Sequence, residues 1–162
     1  MTHSLRLRAV AGALALVAGL GTLAACGSSS GTTVSDQHGK VTADKDKVTV
    51  QSSEGTTTMG QGIPEGFPKD KVPLLDEKVL NGVKGSDGGP FAWSVVMTST
   101  RAVDDLSASV TKDFTDAGYQ TGKATDLADV SIHKFTDDTY DVGVTIARTG
   151  DGVTITYLVK NK

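Results

Sequence analysis

The sequence has a single cysteine, Cys26. That excludes an internal disulfide and any zinc site built on several thiolates. Aromatic residues make up only 5% of the chain, and none occurs before Phe67. Aromatic side chains supply much of the bulk of a small core, so the core is expected in the C-terminal part. The four prolines all lie between Pro64 and Pro90, and the three histidines (His3, His38 and His133) are scattered. Basic charge is also scarce: the formal net charge is −3, and without Arg6 and Arg8 the chain keeps 14 basic against 19 acidic residues. A nucleic-acid partner is therefore not expected, because phosphate binding needs a basic surface. The imbalance is too small for a wholly disordered acidic chain.

One apolar run is present, at the N-terminus. Arg6 and Arg8 precede "AVAGALALVAGLG" (residues 9–21), and small residues follow up to Cys26. A positive segment, a short apolar segment and small residues at the cleavage point are the anatomy of a secretory signal peptide. The run is too short and too glycine-rich for a comfortable transmembrane helix. "LAAC" (residues 23–26) resembles the lipobox of bacterial lipoproteins. That resemblance implies cleavage after residue 25 and a diacylglyceryl thioether on Cys26, which anchors the chain to the outer face of the cytoplasmic membrane. Such a lipid converts a secreted chain into an anchored one.

Residues 27–62 are rich in Gly, Ser, Thr, Asp and Lys and contain no aromatic residue. Together with Cys26 they read as a tether. Some 36 flexible residues would have an r.m.s. span of about 33 Å. Within it, "KVTADKDKVTV" and "GTTTM" are short β-branched runs separated by turn-like residues. A β-ribbon over 40–59 persists only if it docks on the domain, since an isolated hairpin is marginal in water.

The remainder, 63–162, is expected to be one compact α+β domain. "GIPEGFPKDKVPLLD" is an extended entry strap whose Ile63, Phe67, Val72, Leu74 and Leu75 can pack along the body. Strands are expected at 78–83 and 91–99, the second alternating through Phe91, Trp93, Val95 and Met97. A helix over about 101–117 follows from the stripe Val103, Leu106, Val110, Phe114 and Ala117. Thr100 is its expected N-cap, with Asp104 and Asp105 near the first turn and Gly118 at C′. Three more strands are expected at 129–135, 139–148 and 152–160. The first changes phase between Ile132 and Phe135, which suggests a bulge or a different boundary. Short turns between the last strands imply antiparallel neighbours. The fold class is thus α+β: an antiparallel sheet in β-β-α-β-β-β order with one helix on one face.

No catalytic, cofactor or metal site is expected. His133, between Ile132 and Lys134, reads first as a solvent-facing or satisfied strand histidine; a general base would need a nucleophile and an orienting partner. Asp137, Asp138 and Asp141 lack calcium-loop spacing and read as solvated carboxylates of a hairpin. "GSDGG" (residues 85–89) lacks the lysine and helix of a phosphate loop, and "DKDK" (residues 44–47) reads as a solvated turn. Trp93 is core if the helix covers its face. If that face is open, Trp93 and Phe91 form an exposed apolar patch.

From residue 63 onward the chain resembles a group of small actinobacterial lipoproteins of uncharacterised function. The resemblance rests on the lipobox, the hydrophilic tether, the entry "IPEGFPKDKVPLLD", and a helix ending "AGY" before a strand–Asp-Asp–strand hairpin. It departs at Ile63, where the family has Leu, and by an extra Lys before the valine. It implies the lipid site at Cys26 and no activity. The expected role is a non-enzymatic binding module of the cell envelope. Its partners would be the membrane, through the lipid, and an envelope protein or small ligand. The competing expectation is a small envelope enzyme built from Ser, Asp and His133. A two-lobed importer receptor needs a far longer chain.

Overall fold

A computed structural model describes residues 32–36, 39–53, 55–86 and 89–162. The leader, Cys26 and His38 lie outside the described residues. In chain order the elements are β1 (Thr32–Asp36), β2 (Gly39–Ala43), β3 (Lys47–Ser52), β4 (Gly55–Gly60), β5 (Lys78–Lys84), β6 (Trp93–Ser99) and α1 (Val103–Asp116). Then come β7 (Gln120–Thr121), β8 (Thr125–Leu127), β9 (Val130–Thr136), β10 (Tyr140–Thr149) and β11 (Gly152–Asn161). All the strands form one antiparallel sheet in the order β1-β2-β3-β4-β5-β6-β11-β10-β9-β7, with β8 also paired to β9. The fold is α+β, and its centre, β5-β6-α1-β9-β10-β11, has the expected order.

The helix forms because Val103, Leu106, Val110 and Phe114 make one buried stripe. Burying each large apolar side chain is worth about 1.5–3 kcal/mol. Phe114 stacks on Phe135 with ring centroids 4.1 Å apart and meets Tyr119 edge-on at 5.0 Å. The helix ends where Gly118 takes φ +86°, and the Tyr119 N–H donates to the Phe114 carbonyl at 3.0 Å. The start differs from expectation. Ala102, not Thr100, occupies the N-cap and makes no side-chain cap. The Ser99 hydroxyl instead accepts from the Arg101 N–H at 3.0 Å, turning the chain one step later. Ala117 lies past the last helical turn and is exposed.

The helix packs against β7, β9 and β10. The strap covers the middle of the same face: Phe67, Val72 and Leu75 are buried, and the Leu75 N–H donates to the Tyr157 hydroxyl at 3.3 Å. Under these covers lie Val95 and Met97 of β6, Val142, Val144 and Ile146 of β10, and Val153, Ile155, Tyr157 and Val159 of β11.

The sheet crosses the expected boundary at residue 62. Strands β2, β3 and β4 occupy the segment where a ribbon was expected over 40–59, and β1 precedes them. What docks them is β4 against β5, through Thr58↔Lys84, Met59↔Val83 and Gly60↔Gly82. A further irregularity sits at Leu80 in β5, where the register to β6 shifts between Val79 and Asn81.

Strand β9 shows why its alternation seemed to change phase. It has neither a bulge nor a slipped boundary: Ser131, His133 and Phe135 all point into the core, while Ile132 and Lys134 face out. The inward row is polar at two of its three positions, so apolar periodicity misreads it.

Candidate functional site

Alternation and register place Lys47 and Thr49 of β3, Thr58 of β4 and Lys84 of β5 on the face that the helix and strap cover elsewhere. Beside them that face is open and forms a cleft of about 660 Å³, bounded on one side by residues 61–65 of the strap. Its floor is low because Gly60 and Gly82 oppose each other across β4 and β5. The glycine at 82 is required by close approach: a Cβ there would lie 2.4 Å from Pro64 Cδ and 2.5 Å from the Gly62 carbonyl oxygen.

Trp93 holds this wall in place. Its indole N–H donates to the Glu65 carbonyl at 3.3 Å, and its ring meets Phe67 and Tyr140 edge-on, both at 6.4 Å. Trp93 is half-buried at the margin of the core, so it is neither wholly covered nor part of an open patch with Phe91. Gly66, at φ +75°, completes the turn in which the Phe67 N–H donates to the Pro64 carbonyl. Lys47 makes an ion pair with Glu65 at 3.8 Å across the cleft mouth. Both side chains are well exposed, so the pair contributes little to stability. The lining is mixed: threonine hydroxyls, an amide (Gln61), two ammonium groups and the Glu65 carboxylate stand beside Ile63, Pro64 and several glycines.

A second constellation joins the helix to β8 and β9. His133 is 3% exposed. Its Nε2 lies 2.8 Å from both Ser107 Oγ and Ser131 Oγ, and those hydroxyls are 3.2 Å apart. The Ser131 hydroxyl donates to Asp126 Oδ1 at 2.5 Å, so its oxygen is left to accept. The Ser131 contact thus calls for a proton on Nε2, whereas the Ser107 hydroxyl can donate or accept there. Nδ1 is buried with no hydrogen-bond partner among the described residues. Burial holds the imidazole below its ordinary pKa of 6.5, with Asp126 pulling weakly the other way. A shallow hollow of about 520 Å³, lined by Ser107, Thr111, Lys112 and Asp126 among others, opens above.

The fold thus brings His133 together with two serines and an aspartate, which the sequence spacing did not show. The roles do not match a hydrolytic triad. A base must receive the serine proton on a free nitrogen and be oriented through the other one. Here no carboxylate meets Nδ1, the nitrogen through which such a base would be oriented. The signal available in sequence was the period-two row Ser131, His133, Phe135 facing a helix, with Ser107 next to the buried Leu106.

The acidic hairpin has its own structural duty. Asp137 Oδ1 accepts from the Thr139 and Tyr140 N–H groups at 2.7 and 2.6 Å, and Asp141 Oδ1 accepts from the Thr136 hydroxyl at 2.6 Å. Burial alone would raise the Asp137 pKa, but those two amides together with Tyr119 and Lys162 outweigh it and hold the carboxyl below the ordinary range. "DKDK" is the β2–β3 turn, closed by the Asp44 N–H donating to the Lys47 carbonyl at 2.8 Å. Among the described residues no group of three or more His, Cys, Asp or Glu could hold a metal ion, and no helix is long and apolar enough to cross a membrane. No protein-family model, curated protein or solved structure matches the chain.

Proposed function

We propose that the chain is a lipid-anchored extracytoplasmic lipoprotein whose folded part is a binding module, not an enzyme. The observation that carries the binding reading is the open cleft over β3–β5, with its mixed polar and apolar lining. Its volume of about 660 Å³ falls in the range of small-ligand sites. Lys84 has no ion-pair partner among the described residues, so an ammonium is free to meet an acidic group. The threonine hydroxyls and Gln61 suit a hydroxyl-rich ligand, and a carboxylated glycan fragment of the envelope has that chemistry. The anchor reading rests on the leader and "LAAC".

Two measurements test the two halves. Palmitate labelling should mark the wild-type chain and not Cys26→Ser, and the variant should appear in the medium; membrane retention of an unlabelled variant refutes the anchor. Calorimetric titration of the acylated chain in micelles with muramidase-released wall fragments should show binding that Lys84→Ala and Thr58→Val weaken. Equal heats for all three proteins refute the cleft. The enzymatic alternative is favoured only by the 2.8 Å Ser107–His133 contact. It requires ester or amide turnover that disappears in His133→Asn with folding intact.

A further inference from the structure

The outer face of β1–β4, opposite the cleft, is the apolar one. Alternation and register put Val34, Val41 and Val50 in one row across three strands, and Val48 beside Met59 in the next. These five side chains are between 39% and 64% exposed. Among the side chains described there, none is charged; the partners on that face are Thr32, Ala43, Ser52 and Thr57. Of the charged residues in these strands, Lys40 and Lys47 lie on the cleft side or at its turn, while Asp36, whose side chain is not among those described, ends β1 opposite Gly39. An exposed, uncharged apolar face of this kind normally marks a contact surface.

We propose that this face rests on the bilayer to which Cys26 is attached, so that the cleft on the other side of the sheet is held away from the lipid. The inference rests on the lipid-anchor reading. Thr32 is six residues along the chain from Cys26, a stretch that spans at most about 20 Å. The anchor therefore keeps β1, the strand at the edge of the patch, next to the headgroups. From β1 to β4 is only about 14 Å across the sheet, so the whole patch lies within the same reach. Charge points the same way. The mature chain carries 14 basic against 19 acidic residues, and anionic headgroups repel it. The valine and methionine rows, where no described side chain is charged, are the part of it that can approach such a surface closely. The attraction of a lipid chain and of an apolar protein face add.

The test uses the chain's lack of other cysteines. With Cys26 blocked by its thioether, Val50→Cys or Thr49→Cys creates one labelling site on either face of β3. The full acylated chain, labelled with an environment-sensitive dye, is placed in phosphatidylethanolamine–phosphatidylglycerol vesicles containing nitroxide lipid. The dye at Val50→Cys should be quenched several-fold more than at Thr49→Cys, with circular dichroism unchanged. Equal quenching at both sites, with palmitate still on Cys26, overturns the docking face and leaves the anchor standing. No palmitate on Cys26, with Val50→Cys still preferentially quenched by vesicles, overturns the anchor and supports the face. Protection of Val50→Cys without vesicles, together with a dimer in sedimentation, assigns the face to a second copy and overturns the proposal. Protection by a co-purifying protein does the same.

Discussion

Gly82→Ala should detach the strap from the sheet and spoil the cleft, although it adds one methyl group. The new Cβ would meet Pro64 Cδ at 2.4 Å, the Gly62 carbonyl oxygen at 2.5 Å and Pro64 N at 2.8 Å. Two of these atoms are backbone and the third belongs to a rigid ring, so no side-chain rotation relieves the clash. The strap must move outward by about 1 Å to restore ordinary contact distances. Forced overpacking costs about 1–3 kcal/mol, and the Trp93–Glu65 hydrogen bond that fails with it adds about 0.5–1.5 kcal/mol. A loss of about 2–4 kcal/mol in urea unfolding is expected. The only tryptophan reports the event directly, because its indole N–H is bonded to the strap: its emission should shift to the red in the folded variant. Gly143→Ala is the control. It lies on β10 without positive φ, and its Cβ would meet nothing within 4 Å. The same chemical change there removes unfolded-state freedom and should stabilise by about 0.4–1 kcal/mol. Equal effects at the two positions, or unaltered emission in Gly82→Ala, would refute the contact between strap and sheet.

Two other outcomes follow from the core. The folded state holds His133 below 6.5, so the unfolded chain takes up a proton that the folded chain refuses. The stabilisation is complete above pH 6.5 and is lost as pH falls below it, until His133 titrates in the folded protein. Urea midpoints measured between neutral and mildly acid pH should fall in the wild type and fall less in His133→Asn; parallel slopes would refute the assignment. Phe114→Ala empties the space between Phe135 and Tyr119 and should cost about 3–5 kcal/mol by thermal or urea unfolding. A smaller loss would mean that the helix closes onto the sheet.

Strands β6, β10 and β11 were legible because each alternates apolar and polar residues, with the apolar set buried. The helix was legible because its stripe keeps one period from Val103 to Phe114. The His133 cluster was not, for two physical reasons. A strand that buries Ser131 and His133 by hydrogen bonding them shows no apolar signal there, and Ile132, at 37% exposure, supplies a false one. Its helix partner, Ser107, is 24 residues from Ser131 and 26 from His133 in sequence, and that pairing follows from the way the helix lies on β9. The cleft was hidden differently. Gly60 and Gly82 look like linker residues until register sets them opposite each other.

The β1–β4 region shows the limit of alternation most clearly. Its threonines and valines alternate as strands should, yet the segment has the composition of a tether, and alternation alone does not say which face is covered. Cover decides that. A helix of 14 residues is about 21 Å long, and it packs on β7, β9 and β10. The strap reaches β5, β6 and β11 through Pro64, Phe67 and Leu75, which meet Gly82, Trp93 and Tyr157. Toward β3 the strap extends no further than the Glu65–Lys47 ion pair at the cleft mouth, and the helix makes its main contacts with β7, β9 and β10. The face that is core under the helix is therefore bare over β3, and there it is Lys47 and Thr49 rather than valine. Across β4 and β5 the inward pair is Thr58↔Lys84 and the outward pair Met59↔Val83. One continuous sheet thus buries its apolar residues on one face at the helix end and exposes them on the opposite face at the other end. Burial within the chain accounts for the first set. The second set has no cover within the described chain, and it begins at Val34, eight positions after Cys26; the proposed lipid anchor would place an apolar phase there for it to meet.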